Sequence, residues 1–166
     1  TPLYSSAASD VYKRQALDFL RKVNLGEKVK IGNRVIVIGG GNVAVDAART
    51  VLRLGAGQVS IFYRRSREEM PAFAVEVEEA ENEGVNLQFL VVPKRILGRG
   101  GKVKALECVR AELGESDQSG RRRPVPIKDS EFTTDTDIII LAIGQTPDTS
   151  FLRIGEKTFE YDPSTL

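Results

Sequence analysis

Unbroken apolar runs and helical stripes alternate along the first half of the chain, and this alternation outlines a fold. Arg34-Val35-Ile36-Val37-Ile38 reads as an uninterrupted apolar strand, the kind buried on both faces of a parallel sheet. Gly39-Gly40-Gly41 breaks it. From Asn42 the apolar positions fall at Ala44, Ala47, Ala48, Val51 and Leu52, a helical spacing that Gly55 and Gly57 end. Val59 to Tyr63 predicts a second strand. A second helix is expected from about Arg67 to Glu83, with Phe73, Val77 and Ala80 as its apolar stripe, Glu76, Glu79 and Glu83 on its wet face, and Gly84 as its stop. Leu87 to Val92 predicts a third strand closed by Pro93. Ahead of all this, Ala16 to Val23 reads as a short helix with Leu17, Leu20 and Phe19 available for a buried face.

The pattern then changes. Ile96-Leu97, Val103 to Leu113 and Val125 to Phe132 are strand-like, with no helical period between them, and predict an antiparallel meander. A last buried strand, Asp137 to Ala142, resumes the parallel sheet before Ile143-Gly144-Gln145-Thr146-Pro147 turns the chain. The expected class is α/β: a Rossmann-like parallel sheet with helices on both faces and an inserted antiparallel β-meander, its crossovers right-handed. Thr1 to Gln15 has no clear period and no cap, lacks the apolar stretch of a secretory signal, and is expected to be a non-native or disordered leader. The domain proper is expected over 16–152, with 153–166 a truncated tail leading to a further, missing domain.

Composition narrows the chemistry. The net charge of +1 provides no general attraction to nucleic acid or anionic membrane, so neither is an expected partner. No apolar run approaches the roughly 20 residues that cross a bilayer, and the expected location is the cytoplasm. The chain has no His and one Cys, which removes the commonest general base and metal ligand; no metal site is expected. Redox chemistry here would be carried by a bound cofactor, and no side chain is expected to serve as acid, base or nucleophile.

Gly39, Gly41 and Ala44 fit G-x-G-x-x-(G/A) directly after a strand and at the opening of a helix. In that motif the first glycine allows a tight turn, the second lets backbone approach a pyrophosphate, and the small third residue lets the helix pack near the strand. The helix N-terminus adds unpaired N–H groups and partial positive charge. At the end of the second strand, where a NAD site commonly places an acidic residue about 20 residues on, this chain has Tyr63-Arg64-Arg65-Ser66-Arg67. Guanidinium groups pair bidentately with phosphate, so the expected cofactor is NADPH rather than NADH.

Three ordered segments, Val35 to Arg49 (VIVIGGGNVAVDAAR), Tyr63 to Ala72 (YRRSREEMPA) and Asp137 to Asp148 (DIIILAIGQTPD), together resemble the NADPH-binding domain of glutamate synthase small subunits and related FAD-dependent oxidoreductases, including dihydropyrimidine dehydrogenase. The resemblance spans about Ala16 to Leu152. It implies that Gly40, Gly41, Asn42 and Val43 run along the pyrophosphate, with Asn42 capping the helix. It implies that Arg64, Arg65 and Arg67 hold the 2′-phosphate, and that Ala142, Ile143 and Gly144 pass the nicotinamide side. It gives Asp46 and Arg49 a local salt-bridge or packing role. The family's FAD domain, with its own glycine fingerprint, is missing from the sequence, so the resemblance implies an NADPH-binding piece whose partners are the FAD domain of the same protein and a larger catalytic subunit. A non-catalytic dinucleotide-binding or sensing module is the alternative. Arg121-Arg122-Arg123 reads as a charged tip between meander strands, and Cys108 as a small buried residue.

Overall fold

The computed structural model describes residues 13–99, 102–118 and 120–144, together with a short antiparallel pair of strands at 153–154 and 157–158. A five-stranded parallel sheet forms the middle layer. Its strands are β1 (Lys13–Gln15), β2 (Arg34–Ile38), β3 (Gln58–Tyr63), β4 (Asn86–Phe89) and, after the meander, β8 (Ile138–Leu141), in spatial order β1-β8-β2-β3-β4. Pairing begins at Lys13 rather than Ala16, since Lys13 to Gln15 lie alongside Ile139 to Leu141. The helices are α1 (Ala16–Asn24), α2 (Asn42–Arg53) and α3 (Ala74–Glu83).

β2 and β8 read as continuous apolar runs because both of their faces are covered. Val35 and Val37, with Ile138 and Ile140, point into a core shared with all three helices. Ile36 and Ile38, with Ile139 and Leu141, point into a second core against the meander. The small side chains Ala44, Ala47 and Ala48 on α2 are fully buried, which lets the helix lie close to the sheet.

The parallel sheet, helices and meander are as expected, but the helices are not on both faces. All three pack on one face, and β5 (Val91–Arg99), β6 (Lys102–Ser116) and β7 (Arg122–Asp135) form a separate antiparallel sheet over the other. Handedness explains the division. The steps β1 to β2, β2 to β3 and β3 to β4 all move across the sheet in one direction, so right-handed crossovers put α1, α2 and α3 on the same side. The step from β4 back to β8 moves the opposite way, so the intervening meander falls on the opposite face.

Local corrections have local causes. The second helix begins at Ala74, not Arg67, because Pro71 disfavours helix in the residue before it and Phe73 is extended at the N-cap. Phe73 is therefore exposed rather than part of a buried stripe, whereas Val77 and Ala80 are buried. On α1 the buried residues are Ala16 and Phe19, while Leu17 is exposed. The run expected as one strand over 87–92 is broken at Leu90, whose φ of 56° swings the chain from the parallel sheet into the meander. That turn is held from two sides, by Leu90 N–H donating to the Arg65 carbonyl at 3.1 Å and Ala111 N–H donating to the Leu90 carbonyl at 2.9 Å.

Charged pairs tie the layers. The Asp137 carboxylate accepts the backbone amides of Asn33 (3.0 Å) and Arg34 (2.9 Å) and the Arg34 guanidinium (3.0 Å). Burial would raise its pKa, but those bonds outweigh burial and hold it below the usual value. Arg49 on α2 bonds Glu76, Glu79 and Glu83 on α3, the salt-bridge role expected of it. Asp46 is exposed. Among the described residues no helix is long and apolar enough to cross a membrane, and no cluster of three metal-ligating side chains occurs.

Candidate functional site

The strand order reverses between β2 and β8. From β2 the chain proceeds one way through β3 and β4, and β8 returns on the other side. In open parallel sheets, ligands bind outside the carboxyl ends of the strands at such a switch point. The glycine turn leaves the end of β2, and Ala142 to Gly144 leave the adjacent end of β8. A cleft of about 730 Å³ opens between them, within the range of small-molecule sites.

The three glycines do different work. Gly39 has φ 149°, and a Cβ there would sit 2.4 Å from the Ala142 carbonyl oxygen, so the first glycine lets the two strand exits come together. A Cβ on Gly40 would meet the Tyr63 ring at 2.4 Å. The Gly40 carbonyl also accepts the Ala72 amide at 3.1 Å. Gly41 alone borders open space, with nothing within 4 Å of an added Cβ.

Gly41, not Asn42, is the N-cap of α2. The Asn42 carboxamide oxygen instead accepts the Phe73 amide at 2.9 Å, fastening the segment before α3 to the glycine turn. The leading amides of a helix have no carbonyl of their own helix to bond, and the first turn of α2 carries no acidic residue. The partial positive end of α2 is therefore left uncompensated beside Gly41, Asn42 and Val43, which all line the cleft. Ala44 does not line it; it is fully buried against the sheet and acts through packing.

The three arginines expected at one phosphate separate. Arg64 is exposed and lines the cleft, with no ion-pair partner among the described residues. Arg65 also borders the cleft, but it is only 5% exposed. Its Nε donates to the Arg122 carbonyl at 2.7 Å and its Nη2 to Asp117 at 3.3 Å. Arg67 does not line the cleft. It pairs with Glu81 and lies 5.2 Å over the Phe89 ring. Ala142, Ile143 and Gly144 do line it.

Other lining residues lay outside the sequence reading. Ala16 and Leu17 come from the start of α1, Pro71 from the segment before α3, and Val91, Val92 and Pro93 from the start of β5. Arg121 also lines the cleft, although it belongs to the arginine triplet that reads in sequence as a charged tip between meander strands. Arg122 meanwhile turns back onto the Leu113 and Gly114 carbonyls. Among the described residues, three arginines and no carboxylate line the cleft. Cys108 is buried in the core under the meander, and burial pushes its thiol up to about 12.

Residues 7–163 match the family model described as pyridine nucleotide-disulphide oxidoreductase. The chain is 50% identical over 154 residues to the NADP(+)-dependent formate dehydrogenase subunit beta of Moorella thermoacetica, covering 89% of this chain and 22% of that protein. It is 39% identical over 145 residues to the NADPH glutamate synthase small chain of Azospirillum brasilense, covering 80% of this chain and 30% of that protein, so the resemblance read from the three motifs holds. The fold matches Mycobacterium tuberculosis FprA, solved in complex with NADPH, with a TM-score of 0.67 at 18% identity over 85% of this chain and 47% of that one. The chain thus spans less than a third of the length of either curated relative.

Proposed function

The chain belongs to the pyridine nucleotide-disulphide oxidoreductase family, and from that premise we propose that it is the NADPH-binding domain, about residues 16–152, of an FAD-dependent oxidoreductase of the glutamate synthase small-subunit kind. The observation that carries the reading is the cleft at the switch point, which joins a glycine turn and an uncompensated helix N-terminus to a lining that has arginines and, among the described residues, no carboxylate. A pyrophosphate fits there because Gly41 leaves space open beside the leading amides of α2. Gly40, Asn42 and Val43 flank the same stretch. Arg64, exposed and without an ion-pair partner among the described residues, receives the 2′-phosphate that separates NADPH from NADH. Ala142, Ile143 and Gly144 border the nicotinamide end, where the strand exits meet.

When bound, the dinucleotide supplies a hydride for a flavin, which a separate FAD domain of the same protein would hold. The residues of this chain bind and orient; none is required as acid, base or nucleophile. The chain alone is then inactive in electron transfer, and its partners are the FAD domain and a larger catalytic subunit. The relatives' names support that arrangement, since one is a beta subunit and the other a small chain.

Calorimetric titration of the chain with NADPH and, in parallel, NADH tests the reading. Tighter binding of NADPH is expected, with most of the preference lost in Arg64→Ala. Equal affinity for the two would make the arginines a solvated turn and end the NADPH assignment. Binding of neither would remove the dinucleotide reading of the cleft.

A further inference from the structure

Among the described residues, Arg121 is the one cleft-lining cation that comes from the meander, more than 50 residues along the chain from Arg64. The turn between β6 and β7 delivers it. Within that turn Asp117 N–H donates to the Arg121 carbonyl at 2.7 Å, Gly120 N–H donates to the Asp117 carbonyl at 2.9 Å, and the Arg121 amide donates to the Asp117 carboxylate at 3.2 Å. Gly120 supports the tight turn with φ 77°. The other oxygen of Asp117 takes the buried Arg65 guanidinium, whose Nε bonds the carbonyl of Arg122. Arg65 therefore anchors the turn at the adenosine end of the site. Its chain neighbour Arg64 and the turn residue Arg121 both line the cleft.

The consequence is electrostatic. Arg65 is only 5% exposed and gives its Nε and one Nη2 hydrogen to the turn, so an incoming phosphate first meets two exposed guanidinium groups, Arg64 and Arg121, neither ion-paired among the described residues. Resting on the NADPH reading above, we propose that Arg121 is a specificity-determining residue that holds the 2′-phosphate together with Arg64, and that Arg65 and Asp117 are positioning residues that deliver it. The meander then has a function beyond covering the sheet, because it closes the adenosine end with a charge that no Rossmann strand supplies.

The test is titration of the full chain and its variants with NADPH, NADH and 2′,5′-ADP. Arg121→Ala is expected to weaken NADPH and 2′,5′-ADP about tenfold, which corresponds to about 1.4 kcal/mol, and to leave NADH unchanged. Arg121→Lys should recover most of the loss, since it restores the charge. Asp117→Asn should lower the NADPH preference in the wild type yet add nothing in the Arg121→Ala background. A selectivity ratio unchanged by Arg121→Ala, in a chain that still prefers NADPH and loses that preference in Arg64→Ala, would overturn the role of Arg121 and leave the function standing. Equal weakening of NADPH and NADH would overturn it too, by showing a general effect on the cleft. A full Asp117→Asn effect in the Arg121→Ala background would refute the positioning role. A wild-type chain with no preference for NADPH would overturn both this inference and the reading beneath it.

Discussion

The glycine turn allows folding and binding to be separated by single methyl groups. In Gly39→Ala the new Cβ starts 2.4 Å from the Ala142 carbonyl oxygen, whereas carbon and carbonyl oxygen ordinarily approach no closer than about 3.3 Å. The exits of β2 and β8 would have to part by roughly 0.9 Å to restore that contact distance. That movement pulls on the bonds from Ala142 N–H to the Ile38 carbonyl (2.8 Å) and from Gly39 N–H to the Phe62 carbonyl (3.1 Å). Overpacking of this kind costs about 1–3 kcal/mol, and holding alanine at a positive φ adds about 1–3 kcal/mol. The sum of about 2–6 kcal/mol should lower Tm by roughly 5–20 °C in a domain of this size.

Gly41→Ala should behave oppositely. Its backbone is extended at φ −88° and ψ 174°, and the added methyl meets nothing. Alanine stiffens the unfolded chain by about 0.4–1 kcal/mol but is a poorer N-cap than glycine; the two effects offset, and Tm should move by no more than about 3 °C. The methyl nevertheless fills the space beside the leading amides of α2. If overpacking against a phosphate costs about 1–3 kcal/mol, NADPH affinity falls by roughly tenfold to a hundredfold. Thermal unfolding followed by circular dichroism, with calorimetric titration of the same samples, measures both effects. Unfolding of Gly41→Ala at the same reduced temperature as Gly39→Ala would refute the division of labour. So would undiminished NADPH binding by Gly41→Ala.

Three further outcomes are expected. Arg67→Ala should leave the NADPH-to-NADH affinity ratio unchanged, since Arg67 is engaged by Glu81 and Phe89 outside the cleft; a loss matching that of Arg64→Ala, measured in the same titration, would contradict this. Glu83 is held below its ordinary value of 4.5, first by Arg49 and then by Arg53. A depressed carboxylate stabilises the fold above its unfolded pKa and ceases to do so as pH falls through the folded one, so the Tm gap between wild type and Glu83→Gln should hold at neutral pH and close below about pH 4.5; a gap independent of pH would refute the ion pairing. Finally, Cys108, pushed from 9.0 to about 12, should react with a maleimide at pH 8 on the order of a thousandfold more slowly in the native chain than in urea, because the thiolate is the nucleophile. Equal rates would show that the thiol is accessible.

The parts of the molecule legible in the sequence are those whose cause is local. β2, the glycine turn and α2 follow from an apolar run, a break and a helical stripe in succession, and β8 follows from Ile138-Ile139-Ile140-Leu141. The start of α3 is not legible in this way, because Pro71 and the Asn42–Phe73 bond decide where the helix begins. Other features depend on partners far along the chain. The change from β4 to β5 at Leu90 falls within an unbroken strand-like run, and it is imposed by bonds to Arg65 and Ala111. Nothing near Arg64, Arg65 or Arg67 marks which of them turns inward; Asp117 and Glu81 make that choice. Which face the meander covers depends on the order of strands, and strand order is not written in any one segment.

The β2–β8 pairing also sets a schedule. Val35 lies beside Ile138 and Ile38 beside Leu141, so one edge of the central strand waits for a partner made about a hundred residues later. Until then β2 presents unpaired backbone and bulky apolar side chains, and an open edge of that kind invites pairing with other chains. Closing so long a loop is slow compared with forming the β2–α2–β3 unit. Insertion of β8 is therefore expected to come late in folding, with Asp137 taking up the Asn33 and Arg34 amides at the mouth of β2 once it is in place. During synthesis the exposed interval spans the whole meander, so shielding of β2 over that interval is expected to raise the yield of folded protein.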